Sequence, residues 1–475
     1  MTLCNPVWRI ARTHGRKLVF ALGFASGLLT LVPFGTLPAQ AQGQPQNNSV
    51  YALRDTETEE LLRSYEQPLA RAAGLDSNAV KTYLMGDLQI NAFATQPEDI
   101  FIFAGILLWV RTPGELIGVM AHETGHLSAG HLSRGSDAMS KAMIPMLLSL
   151  LVGVAVMVAG GGQAGMAIMG IGQSIAQGMM TKFTRVQESA ADQIAARLLL
   201  ATHQSPMGLY HTFQRFADDE ARNSFHIDPF AADHPVGQER VGSLQDLVDA
   251  SPYKDVPDPP QSVRALQMVQ AKLSGFILPL DEALRRYPVS DTSAPARYAR
   301  AMAYMRKPDL QKALAEINSL IRDEPNNPYF YEVLGQIHVM MARPLLGVPA
   351  YEMAVKLKPG APQLRAALAT AQLATDNPAM APAALSNLKA AQLVEPEDPF
   401  TWYETAQAYS MMKNQPMADL ATAESNYNGG NMRQAIVFAS RARRSLNQGS
   451  PDWQRANDII GASAAEAAEQ QQGRR

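Results

Sequence analysis

The sequence predicts a mainly α-helical protein of the α+β class, in which a mixed domain is followed by an α-helical solenoid of repeats. Strand-like segments occur close together early in the chain, at 80–87, 90–95 and 100–107. The histidine-rich stretch MAHETGHLSAGH, at 120–131, follows them in a helical pattern. Beyond about residue 256 the sequence is Ala-rich and repetitive, with a helical pattern. The chemistry is therefore expected in the first part of the chain and a repeat array in the second.

The composition is that of a globular protein with little net charge. The chain has 475 residues, of which 47% are hydrophobic and 18% charged, and its formal net charge is −3. This length suffices for two or three domains and a sizeable core. Because there is no basic excess, a nucleic-acid partner has no electrostatic support and none is predicted.

The first forty residues have the pattern of an export signal. An apolar run at 18–32 is followed by Ala39 and Ala41 in the small-x-small positions that signal peptidase accepts. Four basic residues precede that run: Arg9, Arg12, Arg16 and Lys17. We expect cleavage after Ala41 and a periplasmic location. The alternative is an uncleaved membrane anchor, for which the apolar run is short.

The only cysteine of the chain, Cys4, lies inside this signal. The mature chain would then contain no thiol. A cysteine nucleophile, a cysteine-based zinc site and stabilising disulfides are therefore excluded.

The mixed domain is predicted to begin with a helix at 56–73, ahead of the three strand-like segments. The stretch TPGE at 112–115 then starts the next helix, because Thr112 can cap it, Pro113 suits its first turn and Glu115 completes a capping box. This helix runs through MAHETGHLSAGH.

His122-Glu123-Thr124-Gly125-His126 is a HExxH motif. Residues four apart share one face of an α-helix, so the imidazoles of His122 and His126 can bind one zinc ion. Glu123 lies about 100° around the helix, where it can hold a zinc-bound water without being a ligand. Such a water is activated when a base accepts its proton. HExxH also arises by chance, so the motif needs a third ligand downstream.

Glu188 and Asp192, one helical turn apart in the segment 184–195, are the candidates for completing the site. Glu188 could reach the metal, and Asp192 could accept a hydrogen bond from a ligand histidine and orient it. Taken alone, Glu188 could equally be an ordinary solvated carboxylate on a helix.

The second part of the chain carries a repeat signal. Pro325 and Pro359 each follow a helix-like run and lie 34 residues apart, which is the tetratricopeptide period, and Pro396 follows after 37. Small and aromatic residues recur where paired helices would interlock, as at 299–304 and 402–409. A stack of two-helix repeats presents a curved surface that could bind polypeptide. The alternative is a generic α-helical bundle.

The HETGH motif, an apolar region and the pattern R-x-x-E-x-x-A-D at 185–192 together resemble the gluzincin peptidase family that includes HtpX and the CAAX prenyl endopeptidases. With the export signal and the repeats, the chain is most similar to the periplasmic branch of β-barrel assembly-enhancing proteases, the BepA-like branch. The resemblance covers essentially the whole mature chain, and includes INAFA at 90–94 and the run 104–126.

The resemblance implies one Zn²⁺ per chain, bound by His122, His126 and Glu188, with Glu123 as the base. It also implies a role for DHPVGQER at 233–240. The histidine of such a motif, His234, would occupy the fourth zinc position and keep the resting enzyme latent. Arg240 would stabilise the oxyanion.

Three further residues have open interpretations. His131 lies five residues beyond His126, about 140° off the metal face, so structural hydrogen bonding is favoured over ligation. Asn91 and Phe93 could belong to an edge strand that pairs with the substrate backbone, or they could be plain strand residues.

Residues 142–181 contain no charged residue and are rich in Gly and Met. In HtpX-like relatives membrane helices occupy this part of the chain, whereas in BepA-like relatives the insertion borders the active site. We favour an adaptable lid with possible peripheral membrane contact over true insertion.

The predicted domains are a signal peptide at 1–41, a zinc metallopeptidase domain at 42–255, a tetratricopeptide-repeat domain at 256–465 and a flexible tail at 466–475. The Pro-rich stretch 251–262 suggests the main boundary. The resemblance implies an exported zinc endopeptidase that degrades stalled or misfolded outer-membrane proteins and assists their assembly, with repeats that dock polypeptide substrates or the assembly machinery. The alternatives are an envelope chaperone or scaffold with latent protease activity, and a membrane-integral HtpX-like protease.

Overall fold

The computed structural model describes residues 8–11, 19–21, 51–95, 98–130, 184–222, 230, 234 and 238–472. These residues fall into two compact units, one formed by Glu57–Leu273 and one by Met1–Thr56 with Ser274–Arg475. The sequence-based domain limits remain predictions. Most of the predicted signal peptide, all of 142–181 and His131 lie outside the described residues.

The elements are numbered in chain order. The strands are β1 (Trp8–Ala11), β2 (Val19–Ala21), β3 (Tyr51–Leu53), β4 (Lys81–Met85), β5 (Ala92–Thr95) and β6 (Asp99–Phe103). The helices before the repeats are α1 (Thr56–Ala72), α2 (Ala104–Trp109), α3 (Pro113–Ser128), α4 (184–201), α5 (Met207–Arg222), α6 (Gln238–Asp249), α7 (Pro260–Ile277) and α8 (Leu280–Arg286). Among the described residues, no helix is both long enough and apolar enough to cross a bilayer.

The sheet of the first part has the order β4-β6-β5. β4 runs parallel to β6, with Tyr83 opposite Phe101, and β5 runs antiparallel to β6, with Phe93 opposite the same residue. The central strand β6 is buried from Ile100 to Phe103. In the other unit, β1 pairs antiparallel with β2 and with β3.

The prediction of a strand at 100–107 is correct only for its first half, because helix α2 begins at Ala104. A short apolar run cannot distinguish a buried strand from a buried helix by periodicity alone. Residues 104–107 are all buried, so both structures would satisfy the pattern.

Helix α3 begins where the capping signal predicts. Thr112 Oγ1 accepts a hydrogen bond from the backbone N–H of Glu115 at 3.2 Å, and Pro113 occupies the first turn. The carboxylate of Glu115 does not close the box on Thr112. It accepts from the N–H of Arg111 at 2.8 Å and pairs with Arg215 at 2.8 Å. The start of α3 is thereby attached to α5.

The second part of the chain is a series of helix pairs, in keeping with the predicted mainly α-helical fold. The helices are α9 (Ala294–Arg306), α10 (Leu310–Asp323), α11 (Pro328–Met340), α12 (Pro344–Leu357), α13 (Pro362–Leu373), α14 (Ala381–Gln392), α15 (Pro399–Met411), α16 (Gln415–Asn428), α17 (Met432–Ser445) and α18 (Pro451–Gln472). Each helix packs on the next. Pro325, Pro359 and Pro396 lie in the turns after α10, α12 and α14, which explains their spacing. Helix α18 extends into the range predicted as a tail.

Gly335 sets how closely α11 and α12 approach. A methyl group added there would lie 2.6 Å from the ring of Tyr351, which is buried. We expect Gly335→Ala to destabilise the repeats by about 1–3 kcal/mol, because the ring must move to relieve the overlap. Urea unfolding measures this effect. Gly360→Ala is the matched control, since a methyl group there has nothing within 4 Å; equal stability of the two variants would contradict the packing argument.

Candidate metal centre and active site

Helix α3 presents two histidines from its buried face. His122 and His126 are 0% and 8% exposed, and their Nε2 atoms lie 3.1 Å apart. Glu123, between them in sequence, is 1% exposed. The i and i+4 spacing of the HExxH motif therefore brings the imidazoles together as the sequence predicts.

Helix α4 brings the two predicted carboxylates to these histidines. Glu188 Oε2 lies 3.2 Å from His122 Nε2, and Glu188 Oε1 lies 3.5 Å from His126 Nε2. Asp192 Oδ1 lies 3.0 Å from the other ring nitrogen of His122, Nδ1. Both carboxylates are buried, so Glu188 is not a solvated surface residue.

Gly125 makes this close approach of α3 and α4 possible. A methyl group at Gly125 would lie 2.8 Å from the carbonyl oxygen of Ala191. Ala191 lies between Glu188 and Asp192 on the same helix. The glycine of the motif therefore determines how near the two carboxylates come to the histidines.

His234 reaches the same cluster from a segment beyond α5. Its Nδ1 atom lies 3.3 Å from His122 Nε2 and 3.2 Å from Glu188 Oε2. Its Nε2 atom lies 3.4 Å from Glu123 Oε1. The backbone N–H of His234 donates to the carbonyl of Phe230, and that of Phe230 donates to the carbonyl of Ile90. These bonds connect the histidine to the segment leading into β5.

The donor atoms of His122, His126, Glu188 and His234 all lie within 4.8 Å of one another and form the one such group of potential metal ligands in the described part of the chain. The five separations given above range from 3.1 to 3.5 Å. Two ligands each about 2.0–2.1 Å from a tetrahedral ion lie about 3.3–3.4 Å apart. Three nitrogens and one carboxylate group therefore fit a four-coordinate metal ion in both chemistry and spacing.

Comparison with known proteins agrees with this geometry. Residues 56–248, which contain the four donors, match the model of peptidase family M48. This region is an M48 metallopeptidase domain. The family implies a bound metal.

Relatives that match most of this chain, or the M48 region alone, are named as proteases. The chain is 25% identical to the beta-barrel assembly-enhancing protease of Yersinia pestis over 82% of this chain and 81% of that protein. It is 24% identical to the protein of the same name in Escherichia coli (strain K12), over 90% of each. The Escherichia coli metalloprotease LoiP is 28% identical over 46% of this chain and 82% of that protein. The crystal structure of YrrB, described as a TPR protein, matches 36% of this chain and 89% of that chain with a TM-score of 0.31 and 21% identity.

The electrostatics of the M48 site favour a cation. Burial opposes a charge on His122, but Asp192 and Glu188 outweigh it and raise the pKa of His122 to about 9. Burial also disfavours the charged forms of the two carboxyls, yet His122 holds the pKa of both below the ordinary range, assisted by the other histidines at Glu188 and by Arg240 at Asp192. Burial lowers the pKa of His126, which favours its neutral, metal-binding form.

Arg240, at the start of α6, is bound to the carboxylates of the site. Its guanidinium donates to Asp192 through Nε at 2.9 Å and Nη2 at 2.8 Å, and Nη1 lies 3.0 Å from Glu188 Oε2. The guanidinium also lies 4.9 Å from the ring centroid of Phe213. Arg240 is thus held beside the candidate metal ligands; its role in stabilising an oxyanion remains a prediction.

The residues predicted for substrate pairing lie on the edge of the sheet. Phe93 is on β5, which has β6 on one side and no further strand beside it among the described residues. Asn91 immediately precedes β5, is 6% exposed, and its carbonyl accepts from the N–H of Phe103. Their role in binding substrate remains a prediction.

Sequence reasoning missed several buried residues that support the site. Phe213 contacts the ring of His122 edge-on at 5.1 Å, and Phe230 lies 4.7 Å from the ring of His234. Glu66 on α1 is 2% exposed and contacts Thr124 of the motif. Apolar residues give no site signal in a single sequence, but a glutamate within the apolar pattern of α1 was a visible exception to that pattern.

Proposed function

We propose that the chain is an exported zinc endopeptidase that degrades stalled or misfolded outer-membrane β-barrel proteins and assists their assembly. The observation that carries the peptidase part is the buried group of His122, His126, Glu188 and His234, whose donor atoms lie within 4.8 Å of one another, beside the buried Glu123. The names of relatives that match 82% and 90% of the chain support the class of substrate. The export signal predicted at 1–41 supports a periplasmic location.

In this proposal His122, His126 and Glu188 hold the zinc ion, and Asp192 orients His122 through Nδ1. When bound, zinc supplies a Lewis acid that lowers the pKa of water and polarises a carbonyl oxygen. Glu123 accepts the proton of the attacking water and passes it to the leaving nitrogen. Arg240 keeps Glu188 and Asp192 in place and is our candidate for stabilising the oxyanion.

Substrate would bind along β5 in this proposal. An edge strand has unpaired backbone N–H and C=O groups on its outer side, and a polypeptide can pair with them as an added strand. Asn91 and Phe93 would contact that added strand. The helical repeats would dock the remainder of the substrate or the assembly machinery.

A second candidate function is a chaperone or scaffold whose proteolysis is latent. The position of His234 favours it, because its Nδ1 atom would provide a fourth ligand, whereas catalytic zinc sites leave the fourth position to water. The two functions are compatible if a substrate displaces His234, and they differ in whether hydrolysis is needed in cells.

We expect the purified mature protein to contain one zinc ion per chain and to lose both the ion and proteolysis when it is treated with a chelator. His126→Ala should lower zinc affinity more than about 100-fold, since even loss of a supporting residue costs up to that factor. Elemental analysis and cleavage of an unfolded outer-membrane protein, before and after zinc is restored, measure both effects. His211→Ala, which removes an exposed histidine, is the matched control. A full zinc content in His126→Ala would contradict the ligand set.

A further inference from the structure

Glu66 is a buried carboxyl group for which the mechanism above has no use. It lies on α1, is 2% exposed, and contacts the motif helix α3 from the side. One of its oxygens, Oε2, has no hydrogen-bond partner among the described residues. A buried carboxylate with an unpartnered oxygen would be strongly destabilising, whereas a neutral carboxyl group in the same place costs much less.

The contacts of Thr124 indicate where the proton is. Thr124 Oγ1 lies 2.7 Å from the carbonyl oxygen of Met120 and 2.9 Å from Glu66 Oε1. A hydroxyl group carries a single proton, and the carbonyl of Met120 can only accept. When Thr124 donates to Met120, the shorter contact, the proton between Thr124 and Glu66 has to come from the carboxyl group.

The charges around Glu66 point the same way. Burial raises the pKa of Glu66 to about 8, opposed by the hydrogen bond with Thr124 and supported by the negative charge of Glu123. Glu123 is the charged group that faces Glu66 from α3, and Arg63, one turn earlier on α1, is exposed. Among the described residues, no cation lowers the pKa of Glu66.

We propose that Glu66 is a positioning residue that stays protonated in the folded protein and donates a hydrogen bond to Thr124, which holds the turn of α3 between the two metal-binding histidines. Thr124 is two residues from His122 and two from His126. Its bond to Met120 is a backbone contact within α3, and Glu66 fixes the hydroxyl group from outside the helix. If Glu66 were ionised, it would accept the hydroxyl proton of Thr124, and Thr124 would no longer donate to the carbonyl of Met120. It would also place a second negative charge beside Glu123.

The test compares replacements at Glu66 that separate the hydrogen bond from the volume. Glu66→Gln keeps the shape and a donor to Thr124, whereas Glu66→Leu keeps an apolar volume and has no donor. We expect Glu66→Gln to retain kcat/KM within about threefold, and Glu66→Leu to lose about 10- to 100-fold, because small displacements of catalytic groups have effects of that size. Zinc affinity should follow the same order. If Glu66→Leu matched Glu66→Gln in both kcat/KM and zinc affinity, Glu66 would have a role in packing only, and the proposal would be overturned.

Infrared spectroscopy tests the proton directly. At pH 7 the spectrum of the wild-type protein minus that of Glu66→Gln should contain the carbonyl band of a buried protonated carboxylic acid; the difference is needed because burial also raises the pKa of Glu404, to about 7. Glu282→Gln, at an exposed glutamate on α8, should give no such difference band. Absence of the band from the Glu66→Gln difference spectrum would overturn the proposal. The effects on activity and on zinc affinity rest on the proposed zinc peptidase function, whereas the infrared band does not, so failure of one is distinguishable from failure of the other.

Discussion

Glu123→Gln is expected to lower kcat/KM for peptide-bond hydrolysis by about 10²- to 10⁴-fold, the usual contribution of a positioned general base. Gln has the same shape but cannot accept the proton of water. Glu123 is 1% exposed and lies 3.4 Å from His234 Nε2, and it is not in the set of metal-binding donors. Zinc content and folding should therefore stay unchanged, which elemental analysis and circular dichroism would establish alongside the cleavage assay.

The matched control for this variant is Glu239→Gln, at an exposed carboxylate on α6. Glu123→Gln with wild-type kcat/KM would mean that another group accepts the proton. In cells the same variant separates the two proposed functions. If it supports outer-membrane assembly as well as the wild type does, the chaperone or scaffold function is the main one; if it behaves like a deletion, hydrolysis is needed.

The parts of the site that follow from helix periodicity were predictable. The separation of His122 from His126 and of Glu188 from Asp192 follows from residues three to four apart sharing one helix face. The start of α3 follows from Thr112 and Pro113, whose preferences are local. The spacing of Pro325, Pro359 and Pro396 likewise predicted the helix pairs, since each proline marks a turn after a helix.

What could not be predicted depends on contacts between distant parts of the chain. Glu115 has the residue type that a capping box requires, yet its carboxylate binds the backbone N–H of Arg111 and the side chain of Arg215. Arg215 is 100 residues away in sequence, so a local pattern could not predict this contact. The contacts of Arg240 with Asp192 and Glu188 have no signature in a single sequence. The first residues of helix α2 were predicted as strand because a segment that is buried on all sides has no alternation of apolar and polar residues.

For His234, the family resemblance and the geometry of the structure lead to the same position. From the sequence alone it is one loop histidine among nine in the chain, and only the family resemblance singles it out. In the structure its Nδ1 atom lies 3.3 Å from His122 Nε2 and 3.2 Å from Glu188 Oε2, as two ligands of one metal ion would, and the carbonyl of Phe230 accepts from its backbone N–H. A four-donor set is typical of closed structural zinc sites, whereas catalytic sites keep one position open. The site thus combines the HExxH motif with four potential metal ligands rather than three.

His234→Ala is therefore expected to increase proteolysis. In the resting protein the fourth position would be available only when His234 moves away, and activity would be proportional to that minor population. If this population is about 0.1–10%, a range common for minor conformations, removal of the imidazole raises kcat/KM by about 10- to 1,000-fold. Zinc should remain bound, because His122, His126 and Glu188 still provide three ligands.

The cleavage assay on an unfolded outer-membrane protein measures this increase, with zinc content as the second readout. His211→Ala controls for loss of a histidine outside the cluster. The double variant Glu123→Gln with His234→Ala must be inactive if the additional hydrolysis comes from this site. Lower activity in His234→Ala with zinc still bound would assign His234 a catalytic role. The absence of both zinc and activity would make it an essential ligand, and either result would exclude latency as its function.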